Sequence, residues 1–158
     1  MHSILFIIKW IFEMLGSPTS WMMLAAIKFI VTTIKVLSIF DRRSKIYTFH
    51  IVEDDELEFL FKIGRTSWPL EERKLEWDRQ CPSKPHIWYD GVNVNHSHRV
   101  EHLVYLELMA CGYKRVIKCC PDCGKRYQEI FHLPHADAWE TIIKPLIEKI
   151  NAEVENGV

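Results

Sequence analysis

Two short stretches, Ile46-Tyr47-Thr48-Phe49 and Phe61-Lys62-Ile63-Gly64-Arg65-Thr66, decide the fold. Residues 46–52 and 57–63 are rich in Ile, Phe, Tyr and Val, which favour β-strands, whereas the acidic residues 53–56 between them are too polar to bury. The pattern predicts an antiparallel hairpin. We expect Gly64 to end the second strand, because glycine accepts a positive φ and a close backbone approach without penalty.

The chain after the hairpin predicts two helices and a third strand. A charged helix carrying Arg73 starts at residue 67 or 68, with Pro69 in its first turn, where a missing N–H has no helical partner to lose. Alternation over 86–94 predicts the third strand. Apolar residues at helical spacing predict a second helix over about 98–111. Together these elements predict an α+β fold with a small three-stranded antiparallel sheet flanked by helices.

Composition limits the possible functions. With 158 residues and 48% apolar content, the chain is long enough for one hydrophobic core. The net charge of −1 excludes a protein that holds nucleic acid by an overall basic field, so any such contact needs a local basic patch. Five cysteines, an odd number, and no cleavable signal pattern indicate reduced or metal-bound thiols in the cytosol or nucleus rather than a disulfide framework.

The first 41 residues differ in character from residues 42–158, and we interpret them as a separate hydrophobic segment before the domain. Residues 21–40 contain only two charged side chains, Lys28 and Lys35, and twenty helical residues match the thickness of a bilayer core. Each central lysine costs about 2.5–3.5 kcal/mol on insertion, against about −0.3 to −0.6 kcal/mol for each large aliphatic residue or Phe, so the sum is nearly neutral. We expect this segment to associate with a membrane, with the basic cluster at 42–45 holding the domain on the cytoplasmic side.

The alternative for this segment is a helical pair packed on the domain, which leaves a nuclear location open. Such packing would bury one apolar stripe of the segment against the sheet or the last helix. The stripe is formed by Trp21, Leu24, Ile27 and Val31. A signal peptide is disfavoured, because the segment is long, carries charges in its first apolar stretch and lacks a small-residue cleavage site.

The motifs of the domain follow one another in a specific order: Tyr47, Lys62-Ile63-Gly64-Arg65-Thr66, Arg73, Arg99-Val100-Glu101, Cys120-Pro121-Asp122-Cys123-Gly124-Lys125-Arg126 and Gln128-Glu129-Ile130-Phe131. In this order they resemble the phage T5 open-reading-frame-172 type of DNA-binding domain, in a branch common among fungal proteins. The resemblance covers residues 45 to about 133. That domain belongs to the GIY-YIG nuclease superfamily, so the resemblance implies a GIY-YIG-like fold that binds DNA.

The resemblance also implies catalytic positions. In the superfamily a tyrosine of the first strand, an arginine of the first helix and a glutamate of the second helix serve one-metal phosphodiester cleavage, and by position these are Tyr47, Arg73 and Glu101. The glutamate would hold a hard divalent ion, Mg²⁺ or Mn²⁺, the arginine would clamp a phosphate and the tyrosine would orient water. The superfamily's second tyrosine is Lys62 here, which grips phosphate but is no base when protonated. We therefore expect a DNA-binding domain, and the same positions leave open a divergent or inactive metal-dependent endonuclease. The expected nucleic-acid-binding residues are Lys62, Gly64, Arg65 and Arg99.

Each of these residues also has a purely structural interpretation. Tyr47 suits a core aromatic residue, Arg73 suits a solvated ion pair with neighbouring acids, and Glu101 suits a salt bridge to Arg99 or Lys114. The alternative function is a non-enzymatic, membrane-tethered interaction module that keeps the fold without the chemistry. A nucleic-acid site would show a basic patch, whereas an interaction module would show an apolar groove at the same place.

Cys120-x-x-Cys123 lies between two strand-like stretches, 115–118 and 127–133. The pattern predicts a zinc-knuckle-like hairpin whose turn presents two thiolates at zinc spacing. The family resemblance implies histidines at the positions of Tyr105 and Tyr127, so a zinc site is either lost here or rebuilt with other ligands. The candidates for rebuilding are Cys119, His102 and His132. A turn with free thiols is the alternative.

Overall fold

The computed structural model describes residues 20–53 and 59–157. Helices alternate with pairs of strands along this part of the chain. In chain order they are α1 (Ser20–Ile34), β1 (Ser44–Ile51), β2 (Phe59–Thr66), α2 (Leu70–Gln80), β3 (His86–Trp88), β4 (Val92–Val94), α3 (Ser97–Ala110), β5 (Lys114–Cys119), β6 (Arg126–Leu133) and α4 (Lys144–Asn156), with a π-helical turn (Trp139–Ile143) before α4.

The six strands form one antiparallel sheet in the order β3-β1-β2-β6-β5, with β4 also paired to β1. The predicted α+β class is confirmed, but the predicted count of three strands is too low. The stretch 86–94 forms two strands, β3 and β4, which pair with opposite ends of β1. Strand β6 joins the sheet by pairing Phe59 with Leu133, a contact so distant in sequence that no local pattern reveals it.

Both faces of the sheet are covered, because successive side chains of a strand point to opposite faces. Ile46, like Phe61 and Phe131, faces the larger core, which side chains of α3 and α4 complete. Its neighbour Tyr47 faces a smaller cluster with Trp77 of α2. The helices α3 and α4 therefore cover one face, and α2 covers the other.

Helix α1 packs against α3 through small side chains, since Ala25 and Ala26 are buried beside Ala110. The helix ends at Ile34 rather than at residue 40, and its 15 residues span about 22 Å against about 30 Å for a bilayer core. Within residues 20–53 and 59–157, no helix is long and apolar enough to cross a membrane. The predicted membrane span is thus not supported, and the first part of the hydrophobic segment, residues 1–19, lies outside the described residues.

The packing of α1 also differs from the predicted alternative. The stripe of Trp21, Leu24, Ile27 and Val31 is 37–53% exposed, so it is not the buried face. The helix instead buries the face that holds its two alanines, because small side chains let two helix axes approach closely.

The segment between α1 and β1 caps the start of α3. Asp41 accepts hydrogen bonds from the backbone N–H groups of His98 and Arg99, at 2.9 and 3.0 Å. These bonds satisfy two of the free N–H groups at the helix start, which is what an N-cap side chain does. In return, the Arg99 guanidinium donates to the carbonyls of Lys35 and Val36, at 2.9 and 3.0 Å. The four bonds fix the end of α1 against the start of α3.

Candidate nucleic-acid interface

A cleft opens where β2 and β6 separate. The two strands pair from Phe59 and Leu133 to Lys62 and Ile130. After this point β2 continues to Thr66 paired with β1 only, while β6 stays paired with β5. An open cleft of about 680 Å³ occupies this gap. Because the sheet is split here, side chains from both of its faces reach the same space.

The cleft collects most of the predicted site residues. Tyr47, Lys62, Gly64, Arg65, Arg73 and Glu101 line it. Arg99 lies outside it, because its guanidinium holds the end of α1. The charged residues that line the cleft are five cations and three acids. The cations are Arg42, Arg43, Lys62, Arg65 and Arg73, and the acids are Glu76, Glu101 and Glu129. A chain with a net charge of −1 thus carries a local excess of positive charge at this cleft.

Tyr47 combines a buried ring with a polar end in the cleft. The residue is 1% exposed, and its ring stacks on Phe49 and Trp88. Its hydroxyl oxygen accepts hydrogen bonds from Arg73 Nε and Trp77 Nε1, both at 3.3 Å. Tyr47 is therefore a core aromatic residue and the anchor of a cleft arginine at once.

Gly64 lies opposite Tyr47 inside β2, so the expected strand end at this glycine is wrong. Among the described glycines, positive φ occurs at Gly112 and Gly124 and not here. Glycine is needed for space, since a Cβ at position 64 would lie 2.7 Å from Tyr47 Oη and 2.8 Å from Tyr47 Cζ. The close approach that we expected is that of the tyrosine ring to the strand backbone.

Arg73 projects from α2 over two aromatic rings. Its guanidinium carbon lies 5.7 and 5.8 Å from the ring centroids of Tyr47 and Trp77, within the range of cation–π attraction. It also forms an ion pair with Glu76, as its structural interpretation predicts. Burial acts to lower the pKa of Arg73, but the bonds to Tyr47 and Glu76 outweigh it and the pKa is raised. The cation is therefore permanent and held at the cleft wall.

Lys62 is a buried cation with an acidic partner. It is 5% exposed, and its Nζ donates to the Ile63 carbonyl at 2.9 Å and lies 3.4 Å from Glu129 Oε2. A β-bulge in β6 turns Glu129 toward Lys62. Between the pairs Val116–Ile130 and Lys118–Tyr127, β6 takes three residue steps where β5 takes two. Such bulges re-aim side chains beside functional sites.

The pair of Lys62 and Glu129 predicts a pH-dependent contribution to stability. Burial acts to raise the pKa of Glu129, but the charge of Lys62 and hydrogen bonds to the carboxylate outweigh it, so the folded pKa is lowered. A carboxyl of this kind stabilises the protein above its unfolded pKa of about 4.3, and the contribution is lost as pH falls through the folded pKa. We expect Glu129→Gln to lower the free energy of unfolding near neutral pH and to have no effect below the folded pKa.

Urea unfolding of both proteins across this pH range measures the difference. Glu140→Gln, at an exposed pair with Lys144, is the control and should change little. A loss caused by Glu129→Gln that is the same at every pH would show that the ion pair is not its origin.

Glu101 reaches the cleft from α3. Its Oε2 accepts a hydrogen bond from Arg65 Nε at 3.2 Å, and its Oε1 lies 2.9 Å from the Tyr105 hydroxyl. Burial, followed by the nearby Glu101 charge, raises the pKa of Tyr105 well above its ordinary value, so the phenol keeps its proton and donates it. The structural partner of Glu101 is thus Arg65, not Arg99 or Lys114.

The predicted residues enter the cleft from two sides. Arg65 pairs with Ile46, which places its side chain on the α3 face together with Glu101. Tyr47 and Arg73 lie on the α2 face. These residues therefore lie on both faces of the sheet and come together at the split between β2 and β6.

The surroundings of Glu101 do not fit a resident Mg²⁺ or Mn²⁺ ion. Both carboxylate oxygens have protein partners, and one partner is the Arg65 cation, which repels a metal ion. In the described chain, three metal-binding side chains come together only at a group of cysteines. The predicted divalent ion at Glu101 is left without a fitting set of ligands.

The cysteine group lies beside the cleft and has three members. Cys120 and Cys123 belong to the turn between β5 and β6, and Cys81 directly follows α2. The Sγ atom of Cys81 lies 2.6 Å from that of Cys120 and 3.7 Å from that of Cys123. The ligands that we considered for rebuilding a zinc site, Cys119, His102 and His132, are not in this group.

Tyr127 connects the cysteine group to the cleft. Its hydroxyl lies 3.8 Å from Cys81 Sγ and 3.5 Å from Cys123 Sγ, and its ring centroid is 4.6 Å from that of Trp77. Hydrogen bonds from the Tyr127 hydroxyl and the Lys125 backbone lower the pKa of Cys123 to about 7. Cys123 is therefore partly a thiolate near neutral pH.

Sequence reasoning missed three residues of the cleft wall. We assigned Arg42 and Arg43 to membrane orientation, yet their exposed side chains line the cleft. Neither has an ion-pair partner within residues 20–53 and 59–157. Trp68, in the loop between β2 and α2, also lines the cleft and is 59% exposed. The only signal was the basic cluster directly before the first strand.

Comparison with known proteins identifies a family. Residues 44–146 match the T5orf172 domain, a family related to GIY-YIG-like nuclease domains. No curated protein and no solved structure matches the chain.

Proposed function

Because the chain belongs to the T5orf172 domain family, which covers residues 44–146 of its 158, we propose that it binds nucleic acid in the cleft between β2 and β6. The relation of this family to nuclease-like domains favours DNA as the ligand. The observation that carries the proposal is the convergence of five cationic side chains on one cleft of a chain with net charge −1. An apolar interaction groove is not what these residues form.

The phosphate backbone is the part of the ligand that these side chains suit. Arginine presents a planar fork of donors that matches phosphate oxygens, and Arg42, Arg43, Arg65 and Arg73 supply four such forks. Lys62 adds a buried positive charge behind them. Because Tyr47 accepts two hydrogen bonds, its own hydroxyl hydrogen is available for a phosphate oxygen.

Trp68 suits a base rather than a phosphate. Its exposed indole at the cleft offers a flat surface on which an unpaired base can stack, and such contacts contribute about 1–3 kcal/mol per base. The cleft therefore combines a charged wall for the backbone with one stacking surface.

Phosphodiester cleavage is the second candidate function, since Tyr47, Arg73 and Glu101 line the same cleft. Two observations favour binding without cleavage. Tyr47 and Glu101 approach from opposite faces of the sheet, and the Glu101 carboxylate is held by Arg65 and Tyr105. We expect plasmid DNA to stay intact with Mg²⁺ or Mn²⁺. Nicking that Glu101→Gln abolishes, without loss of binding, would instead establish a nuclease.

The test of binding is a salt titration with Arg73→Ala. Fluorescence anisotropy with labelled duplex DNA should show affinity falling with salt by a logarithmic slope of about −0.9 per phosphate contact. Arg73→Ala should weaken binding and flatten that slope by about one unit. Arg79→Ala is the matched control, because Arg79 is exposed on the same helix and does not line the cleft. Binding that is indifferent to salt, or equally weakened by both variants, would refute the proposal.

A further inference from the structure

We propose that Cys81, Cys120 and Cys123 bind one zinc ion as thiolates, and that this ion ties the turn between β5 and β6 to the end of α2. The proposal rests on the geometry of the cysteine group and not on nucleic-acid binding. Binding displaces the protons that the three thiols still carry and releases them to solvent, with no change of oxidation state.

The separations between the sulfur atoms suit a shared ion. All three sulfurs lie within 4.8 Å of one another. Zinc–sulfur bonds of about 2.3 Å in a tetrahedron put two sulfurs about 3.8 Å apart, and Cys81 and Cys123 are already 3.7 Å apart. The pair of Cys81 and Cys120, at 2.6 Å, must open by about 1 Å to share the ion. A small side-chain rotation achieves this.

The turn is built to point two thiols in one direction. Gly124 N–H donates to the Cys120 carbonyl, and Cys120 N–H donates to the Lys125 carbonyl, both at 2.9 Å. Gly124 has a φ of +67°, which closes the turn and which side-chain-bearing residues rarely adopt. Two cysteines separated by two residues in such a turn have the spacing of structural zinc sites. The third thiol comes from a distant helix end, which makes the group a cross-link between elements.

The chemistry of the ligand set selects a soft metal. Thiolates favour zinc, copper(I) and iron–sulfur clusters over Mg²⁺ and Ca²⁺, and zinc alone of these needs neither redox chemistry nor added sulfide. Cys81 and Cys120 are buried, at 3% and 8% exposure, and Cys123 is half-buried, which suits an ion bound from the protein side. Water would complete the fourth position on the side of the Tyr127 hydroxyl, which lies 3.5 Å from Cys123 Sγ.

The ion would hold the helix that carries the cleft arginine. Cys81 N–H donates to the Trp77 carbonyl at 2.9 Å, and Trp77 in turn bonds the Tyr47 hydroxyl. The turn is already linked to this region, since Asp122 Oδ2 accepts hydrogen bonds from Ser83 Oγ at 2.7 Å and Ser83 N at 3.0 Å. Zinc would add a bond that does not depend on exposed polar contacts.

The experiment measures metal content in the untagged full-length chain, purified under a non-thiol reductant without added metal. Mass spectrometry of the metals should find about one zinc per chain, as expected for a single tetrahedral site. Cobalt(II) should give the visible bands of a tetrahedral ion and a near-ultraviolet thiolate charge-transfer band. Cys81→Ser, Cys120→Ser and Cys123→Ser should each lose the zinc, while Cys111→Ser and Cys119→Ser, whose cysteines are exposed, should retain it.

A gain-of-affinity variant keeps the test decisive if a cysteine variant fails to fold. Tyr127→His places an imidazole, a strong zinc ligand, where the hydroxyl now lies beside two sulfurs. In competition with a chromophoric chelator, this variant should bind zinc at least about tenfold more tightly than the natural chain. Changes around metal ligands commonly alter metal affinity by about this factor.

Three results would overturn the proposal. The first is a fully reduced wild-type chain that contains no metal and takes up neither zinc nor cobalt(II). The second is zinc that survives Cys81→Ser but not Cys119→Ser, which would move the site. The third is a disulfide between Cys81 and Cys120 in a separate preparation that is alkylated directly on isolation without reductant, detected by peptide mapping.

Discussion

Replacing Gly64 with alanine should lower the free energy of unfolding by about 1–3 kcal/mol, which is the usual effect of forcing volume into a packed core. The new Cβ would lie 2.7 Å from Tyr47 Oη and 2.8 Å from its Cζ, so the tyrosine has to move. Its ring is held by Phe49 and Trp88, and its hydroxyl is the acceptor for Arg73. Movement therefore disturbs both the core and the cleft, and nucleic-acid affinity should fall together with stability.

Denaturant unfolding and the anisotropy assay measure the two effects. Gly157→Ala is the control, because a Cβ there would meet the Glu153 carbonyl at 3.3 Å directly after α4, a contact that a shift of a few tenths of an ångström relieves. If Gly64→Ala were as harmless as Gly157→Ala, the close approach of the Tyr47 ring would not be the reason for glycine in β2.

Replacing Tyr47 with phenylalanine should also cost about 1–3 kcal/mol, because it leaves the buried Trp77 N–H and the half-buried Arg73 guanidinium without their acceptor. The hydroxyl accepts from both Arg73 Nε and Trp77 Nε1, and Trp77 is only 6% exposed, so water cannot easily replace it. Arg73 also loses the bond that orients it, which should weaken binding. Tyr89→Phe is the control, since its hydroxyl makes one long surface bond of 3.4 Å to the Ala136 carbonyl.

The two substitutions should not be additive. Tyr47→Phe removes the 2.7 Å contact with Oη and leaves the 2.8 Å contact with Cζ, but its ring is no longer held by hydrogen bonds and can shift. Gly64→Ala should therefore destabilise the Tyr47→Phe protein less than it destabilises the natural one. Unfolding of the four proteins of this cycle gives the interaction energy directly. Strict additivity would show that Gly64 and Tyr47 do not constrain each other.

The elements of the fold were predictable where the signal is local. The hairpin of β1 and β2 and the helices α2 and α3 follow from alternation and helical spacing within a few turns of chain. The size of the sheet was not predictable from local patterns, because β6 joins β2 by pairing Leu133 with Phe59, which is far away in sequence. The end of α1 at Ile34 was also not predictable, since the apolar composition continues beyond the last helical residue.

The candidate site was predictable as a set of residues but not as an arrangement. The motif order found Tyr47, Arg65 and Arg73, which line the cleft. Glu101 approaches from the α3 face, and this depends on the strand register and on the split between β2 and β6. A single motif carries no information about either feature. Cys81 was missed for the same reason, because its neighbours in space are far away in sequence. Arg99 lies two residues before Glu101 in the chain but does not line the cleft, because its guanidinium points to the end of α1.

The pairing of the cleft cations with internal carboxylates makes ligand capture an exchange of partners. Arg65, Arg73 and Lys62 each already neutralise a glutamate, so an incoming phosphate gains only the difference between two ion pairs. A single free phosphate gains little from such an exchange and competes poorly. A polymer presents many phosphates joined by one backbone, and each exchange after the first takes place at a high effective concentration. In the proposed binding mode, the internal acids thus set a threshold that favours a chain of phosphates over the small anions dissolved around it.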